Sequence, residues 1–327
     1  MNQQYYNRSW LDGCFDFMHF GHANAILQSR MTANDVSFSM FPYTPQSKDA
    51  SSTKLDEYTF FDAETLKEYA EFVAHGMPKN GIWVGLHSDE EIAKNKGSLP
   101  VMNLLERCYH VSNIRWVTSH GVVKNVPYVT ELDHGVNDAL CEYVLHGDDL
   151  VCDADGKDCY DNVRKENRFL DKKLCLDENA EKIYCSVFDK FFDNVIVKGT
   201  CSADKDEDII YYNNPNRSFD MMNAGDIEVL AKIKEKYGKK IIVALYITDV
   251  VCVNNIRERI FSLVSCSLVD GVIINPSPTL SHNFVEITND DELKNRVFEY
   301  LTPETIKERI INSKEIYEAR NKKKLDI

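Results

Sequence analysis

The stretch LDGCFDFMHFGH, residues 11–22, decides the fold and indicates its chemistry. An apolar strand that begins around Trp10 turns here into a helix that continues to about residue 30. Unpaired N–H groups and the positive end of the dipole make a helix N-terminus attractive to phosphate. Gly21 lets a bulky ligand approach the backbone, and His19 and His22 add donors that carry charge near neutral pH. The stretch therefore predicts a triphosphate site.

The composition is that of a globular protein with room for two domains. The chain has 327 residues, of which 43% are hydrophobic and 28% charged, as in ordinary globular proteins. Its net charge of −14 argues against a nucleic-acid partner or an anionic membrane surface, because both require a basic face. The ten cysteines contain no C-x-x-C pair. We interpret them as reduced thiols of a cytoplasmic protein rather than as a zinc site or disulfide framework.

The sequence predicts neither a secretory leader nor an integral membrane segment. Residues 1–6 are polar and lack the apolar core of a leader. The longest apolar run, residues 241–253, contains Thr248 and Asp249 and is too short to cross a bilayer. We therefore interpret this run as a buried strand.

Strand and helix signals alternate along the first half of the chain, which predicts a parallel sheet with crossover helices. Apolar runs at residues 81–86, 121–123 and 143–145 are typical of buried strands. Polar residues follow the first and the last of these runs, beginning with His87 and His146. In an open α/β sheet, ligands bind at the edge where the strands end. The sequence therefore places a ligand site at this edge.

Two helix starts in this half carry local capping signals. Ser88 is followed three residues later by Glu91, and Asn103 is followed by Glu106. This spacing predicts a capping box at each start. The first of the two helices would carry Asp89 in its first turn.

Residues 31 to about 80 interrupt the alternation. They are rich in Ser, Thr, Asp and Pro at first and become helix-like between residues 63 and 73. We interpret them as a surface insertion with one short helix, an inert loop rather than a lid.

A weak internal repeat divides the chain. Residues 15–22 (FDFMHFGH) align with residues 219–226 (FDMMNAGD), and residues 103–107 (NLLER) align with residues 255–259 (NIRER). Asparagine and aspartate replace the two histidines in the second copy, and an aspartate at a helix N-terminus repels a triphosphate. We therefore expect the second unit to repeat the fold of the first without its catalytic activity. The boundary between the two units should lie between about residues 170 and 188.

These motifs resemble those of the ethanolamine-phosphate cytidylyltransferases, members of the H-x-G-H nucleotidyltransferase superfamily with two cytidylyltransferase-like units in one polypeptide. The resemblance covers nearly the whole chain apart from the insertion. It rests on ordered motifs at residues 12–16, 19–22, 87–92, 96–97, 101–103, 106–107, 127–130 and 146–149. The tail at residues 317–321 is similar to that of the fungal members.

The resemblance implies an α/β fold of two Rossmann-like nucleotidyltransferase units, with parallel sheets and helices on both faces. Residues 1–180 would form the catalytic domain and residues 181–327 a degenerate second domain. The implied enzyme acts in phosphatidylethanolamine synthesis, where CTP and phosphoethanolamine give CDP-ethanolamine and pyrophosphate. Mg²⁺ would come with CTP and be held mainly by substrate oxygens, with no metal ligands from the chain. The two small molecules are the expected partners, and a homodimer is left open.

The matching motif positions imply a set of site residues. Contact with the CTP phosphates and the developing charge is implied for His19, His22, Lys96 and Arg107. Binding of CTP is implied for Gly13, Phe15, Asp16, Gly21, His146, Gly147, Asp148 and Asp149. Asp89 and Tyr128 are the candidates for the ammonium end of phosphoethanolamine, through ion pairing and cation–π contact.

One motif of the family is missing from the sequence. After residues 167–169 the relatives continue with R-T-x-x-[VI]-S-T-[TS], which holds the triphosphate, whereas this chain continues LDKKLCLD at residues 170–177. Loss of several such charge-assisted contacts costs on the order of 10²–10³ in rate. Two alternatives therefore stay open: a catalytically weak or dead nucleotide-binding homologue, and a phosphocholine cytidylyltransferase.

Overall fold

The chain forms two parallel β-sheets flanked by helices. The computed structural model describes residues 6–23, 25–26, 29, 82–146, 151–171, 209–246, 252–276, 285–289 and 293–325. The insertion predicted at residues 31–80 lies outside the described residues, as does the predicted boundary from residue 172 onwards.

The first sheet has five parallel strands in the order β3-β2-β1-β4-β5. The strands are β1 (Tyr6–Gly13), β2 (Ile82–His87), β3 (Val117–Val126), β4 (Cys141–His146) and β5 (Phe169–Asp171). The helices are α1, which begins at residue 20, α2 (Asp89–Lys96), α3 (Leu104–Ser112) and α4 (Asp161–Lys165), with a short π-helix at Leu132–Val136. The candidate site lies where β1, β2 and β4 end, as the alternation predicts.

The second sheet repeats this topology. Its four parallel strands lie in the order β8-β7-β6-β9, which matches β3-β2-β1-β4 of the first sheet. The strands are β6 (Ile209–Tyr212), β7 (Lys240–Leu245), β8 (Gly271–Ile274) and β9 (Val285–Ile287). The helices are α5 (Ala224–Tyr237), α6 (Ile256–Ser265) and α7 (Pro303–Leu325). The predicted α/β fold with two similar units is confirmed, and residues 241–245 of the predicted apolar run lie in the buried strand β7.

The predicted helix starts are largely confirmed. Asn103 and Glu106 form a reciprocal capping box at α3. The Ser88 hydroxyl accepts the Glu91 N–H at 3.1 Å, but the Glu91 carboxylate accepts the Tyr128 N–H at 3.3 Å instead of returning to Ser88. The prediction of a full capping box at α2 is therefore wrong. The Ser88 contact forms, but the Glu91 carboxylate binds the backbone that follows β3 instead.

The two units share one hydrophobic core. Trp116 of the first unit stacks on Phe261 of the second with ring centroids 5.6 Å apart. The Arg115 guanidinium crosses the same junction and donates to the carbonyls of Val264 and Cys266 at 2.9 and 3.1 Å. The units are therefore joined by packing and by charge-assisted hydrogen bonds.

The C-terminal helix α7 packs by a narrow apolar stripe. Ile306 is buried, and Ile310 and Tyr317 pack against the same cluster. None of the helices that the structure describes combines the length and apolar character needed to span a bilayer.

Candidate active site

A strained turn connects β1 to α1. Phe15 and Phe17 both have a φ of 47°, in the left-handed region that side chains other than glycine rarely adopt. The aligned residues of the second unit, Phe219 and Met221, have φ values of 51° and 50°. Both units therefore fold this turn in the same way, which confirms the internal repeat at the level of the backbone.

The two motif histidines cap helix α1 through their Nδ1 atoms. His19 Nδ1 accepts the Gly21 N–H at 3.0 Å, and His22 Nδ1 accepts the His19 N–H at 3.5 Å. Their ring centroids lie 4.2 Å apart. A nitrogen that accepts a backbone N–H carries no proton, so we assign the Nε2–H tautomer to both neutral rings. The cap thus leaves two Nε2–H donors beside the N-terminus of a helix, which suits an oligophosphate.

The second unit makes the same cap without histidines. Asn223 Oδ1 accepts the Gly225 N–H at 2.8 Å, and Asp226 Oδ2 accepts the Asn223 N–H at 3.1 Å. Arg217, which aligns with Gly13, forms an ion pair with Asp226. The second unit therefore keeps the fold of the motif but fills its anion position with an internal ion pair.

Desolvation by the surrounding protein favours the neutral form of both motif histidines, although the His19 side chain is exposed at the surface. It lowers the pKa of His22 to about 3, with smaller contributions from His19, Lys96 and His110. Burial also lowers the pKa of His19. Both rings therefore meet a ligand as uncharged donors.

Stability is expected to fall as the pH drops from 6.5 to 5. Burial lowers the pKa of His22 and of His110 from the ordinary 6.5 to about 3. The unfolded chain therefore binds protons in this range that the folded chain does not, which costs up to about 1.4 kcal/mol per pH unit for each histidine. Urea denaturation at half-unit pH steps measures this slope. His110→Gln should reduce it, and equal slopes for both proteins would contradict the assignment.

Lys96 is the cation that faces the histidines. It ends helix α2, which Gly97 closes in the left-handed conformation with a φ of 78°. Its charge lowers the pKa of His22 and that of His87, although burial is the larger cause in both cases. Among the described residues Lys96 makes no hydrogen bond or ion pair. Its ammonium group is therefore available to an anion at the end of β1 and β2.

Arg107 is occupied by the protein itself. Its guanidinium is buried and donates to the carbonyls of Cys14, His87 and Met102 at 2.6, 2.8 and 3.1 Å. It also pairs with the Asp89 carboxylate at 2.7 Å. These contacts fix the ends of β1 and β2 around the site.

Two predicted carboxylates share this supporting role. Asp89 accepts the Leu104 N–H at 3.1 Å in addition to pairing with Arg107. Asp16 accepts the N–H groups of Val101 and Met102, each at 2.9 Å. The structure thus brings both carboxylates to the site, but each one holds backbone in place.

Asp12 is a candidate that the sequence interpretation missed. Its buried carboxylate accepts hydrogen bonds from Trp10 Nε1 at 3.0 Å, Thr130 Oγ1 at 2.7 Å and Tyr160 Oη at 2.8 Å. Burial and the Asp12 charge raise the pKa of Tyr160, so its hydroxyl stays a donor. The available signal was a charged residue that follows the apolar pair Trp10 and Leu11 near the end of the central strand.

Aromatic rings also lie at the ends of the strands next to β1. The predicted residue Tyr128 is buried, and its ring lies 4.9 Å from that of His87. The His146 ring lies 4.8 Å from that of Tyr160. Gly147, Asp148 and Asp149 lie outside the described residues, so their predicted contact with CTP stays a prediction.

Comparison with known proteins gives one family. The sequence model of the Cytidylyltransferase-like family matches residues 67–186. The ethanolamine-phosphate cytidylyltransferase of Saccharomyces cerevisiae is 31% identical over 97% of both chains. That of Dictyostelium discoideum is 26% identical over 97% of this chain and 94% of its own. The probable ethanolamine-phosphate cytidylyltransferase of Schizosaccharomyces pombe is 26% identical over 88% and 78%. The similarity therefore extends over both units.

Proposed function

This chain belongs to the family of ethanolamine-phosphate cytidylyltransferases, and we propose that it transfers the cytidylyl group of CTP to phosphoethanolamine. The products are CDP-ethanolamine and pyrophosphate. The observation that carries this proposal is the pair of neutral His19 and His22 rings, whose Nε2–H donors lie beside a helix N-terminus and the Lys96 ammonium group. This arrangement provides neutral and charged donors for a triphosphate.

The reaction needs alignment and charge compensation rather than a covalent intermediate. A phosphate oxygen of phosphoethanolamine attacks the α-phosphorus of CTP and forms the new P–O bond. The bond from the α-phosphorus to the oxygen shared with the β-phosphorus breaks, and pyrophosphate leaves with that electron pair. His19 and His22 donate to the phosphate oxygens, and Lys96 offsets the charge that develops on them.

We place the ammonium end of phosphoethanolamine at Asp12. Asp89 is already paired with the buried Arg107 guanidinium. The described hydrogen bonds of Asp12, in contrast, all come from neutral donors. A buried carboxylate gains most from an opposite charge, and the rings of Tyr128 and Tyr160 add cation–π attraction.

Asp12→Asn is expected to raise KM for phosphoethanolamine roughly 10- to 100-fold, because a charged hydrogen bond to the ammonium group is lost. KM for CTP should change much less. Steady-state kinetics with each substrate varied in turn measures both constants, and thermal unfolding checks the fold. Asp89→Asn is the matched comparison. If KM for phosphoethanolamine rises selectively in Asp89→Asn and not in Asp12→Asn, the ammonium group binds at Asp89 instead.

We propose that Mg²⁺ enters as the counterion of CTP. Within the described residues no group of three or more His, Cys, Asp or Glu side chains could hold a metal ion. Phosphate oxygens are the hard ligands that Mg²⁺ prefers, and the ion neutralises part of the triphosphate charge when bound.

A CTP-dependent assay that compares phosphoethanolamine with phosphocholine tests the proposal. We expect CDP-ethanolamine and pyrophosphate in equal amounts, with phosphoethanolamine the preferred acceptor. Preferential turnover of phosphocholine would change the substrate. Binding of CTP in a calorimeter without release of pyrophosphate would show a non-catalytic homologue.

Two further proposals concern the setting of the enzyme. The cytoplasmic location rests on the cysteines, seven of which are free thiols in the described part of the chain. Fractionation of cells that express the tagged chain tests it. The homodimer left open by the sequence is tested by sedimentation equilibrium.

A further inference from the structure

The loop at residues 99–102 joins Lys96 to helix α3 and has no regular secondary structure. Side chains from elsewhere hold its backbone. Asp16 accepts the N–H groups of Val101 and Met102, each at 2.9 Å. Since Asp16 lies three residues before His19, this carboxylate links the loop to the catalytic turn. The position of Lys96 relative to the histidines therefore depends on how this loop is held.

The second unit holds the other side of the same loop. Tyr317 Oη, on helix α7, lies 3.3 Å from Asp16 Oδ2 and 3.3 Å from the Leu99 carbonyl, so it can donate to either. Arg309, also on α7, donates to the Val101 carbonyl at 3.1 Å. The loop thus lies between the catalytic turn of one unit and the last helix of the other.

An ion pair between partly exposed Arg309 and a buried carboxylate anchors helix α7 in this position. Arg309 donates to both oxygens of the Glu106 carboxylate at 2.8 and 3.1 Å, and the Glu106 side chain is fully buried. Tyr300 donates to the same carboxylate at 2.8 Å. Two parallel hydrogen bonds between a guanidinium and a carboxylate form in only one relative orientation. The Arg309–Glu106 pair therefore fixes the position of α7 along α3.

Among the residues that the structure describes, no helix covers the equivalent loop of the second unit. Asp220 accepts the N–H groups of Val253 and Asn254 at 2.7 and 2.8 Å, as Asp16 does in the first unit. Val253 is nevertheless 73% exposed, whereas the aligned Val101 is 8% exposed beneath α7. The cover therefore lies on the unit that has the histidines.

We propose that helix α7 is a positioning element of the catalytic site, in which Tyr317 and Arg309 set the geometry of Lys96 and the His19–His22 turn. The proposal rests on the proposed function of that site. The second unit would then contribute to catalysis in the first unit, although an ion pair fills the anion position of the second unit itself. Tyr317 and Arg309 act through the loop and touch no substrate.

Tyr317→Phe tests the proposal, because it removes one hydroxyl and keeps the ring in the apolar cluster. We expect kcat/KM for CTP to fall about tenfold, as for other small misplacements of reacting groups. In the Lys96→Ala background the same change should cause a smaller loss, because one of the two groups that α7 positions is gone. Lys314→Gln, on an exposed part of α7, is the control and should keep wild-type kinetics.

Hydrogen exchange provides a readout that is independent of activity. The amides of Val101 and Met102 should exchange faster in Tyr317→Phe and in Arg309→Lys than in the wild type. Wild-type kinetics and exchange in both variants, or a full additional loss in the Lys96→Ala background, would overturn the proposal. Absence of CDP-ethanolamine formation by the wild type would instead reject the proposed function, and the exchange result would still decide whether α7 holds the loop.

Discussion

Replacing His22 by asparagine is expected to lower kcat by roughly two to three orders of magnitude while the fold stays intact. The asparagine oxygen takes the place of Nδ1 and keeps the cap to the His19 N–H, whereas the Nε2–H donor is lost. His19→Asn should behave alike, since Asn223 caps the aligned helix of the second unit at 2.8 Å. Steady-state formation of CDP-ethanolamine at saturating CTP measures the loss.

Thermal unfolding separates loss of chemistry from loss of structure in these variants. An alanine variant would remove the donor and the cap together, with about 1 kcal/mol of destabilisation from the cap alone. His120→Asn, at an exposed position of β3, is the matched control and should leave kcat unchanged. A wild-type kcat in His22→Asn would contradict the role assigned to this ring. A melting temperature that falls in step with kcat would show that the cap, not the donor, is what matters.

The two units together separate structural residues from chemical ones. The carboxylates of Asp16 and Asp220 each hold two backbone N–H groups of the equivalent loop. Since the second unit has kept this contact after losing both histidines, the contact serves the fold. The positions that changed are the ones where a phosphate would meet the chain, such as Gly13, where the second unit has Arg217.

Features with local physical causes were predictable from the sequence. Asn103 and Glu106 are three residues apart, and their reciprocal cap forms as predicted. The apolar runs at residues 81–86 and 143–145 predicted two strands, and residues 82–86 and 143–145 lie in β2 and β4. The repeated motif predicted a second sheet, and its strand order matches that of the first.

Features that depend on distant partners were not predictable. The Asp12 carboxylate meets Thr130 and Tyr160, which are 118 and 148 residues away along the chain. The motif assigned Arg107 to the phosphates, but its burial depends on how three separate segments close around it. A single sequence shows residue types and local spacing, whereas the partners of a buried charge are set by the tertiary fold.

Arg107→Met is expected to destabilise the protein by about 3–5 kcal/mol, because it leaves the Asp89 carboxylate without its buried partner. The variant also removes the donor to the carbonyls of Cys14, His87 and Met102, which connect both strand ends to α3. Activity should be lost with the structure, since these carbonyls border the catalytic turn. Urea denaturation of the full chain, with the m-value compared to the wild type, measures the change.

Arg259→Met is the matched control, because the second unit contains the same buried arginine with weaker partners. Arg259 donates to the carbonyls of Ser218 and Tyr246 at 3.0 and 3.3 Å, and its Nε has no hydrogen-bond partner. Its loss leaves only neutral acceptors unpaired, so a cost of about 1–3 kcal/mol is expected. Adding Asp89→Asn to Arg107→Met should recover part of the stability, because it removes the unpaired charge of the Asp89 carboxylate. Equal losses in the two single variants, with no recovery in the double variant, would mean that packing of the long side chain, and not the ion pair, is what Arg107 contributes.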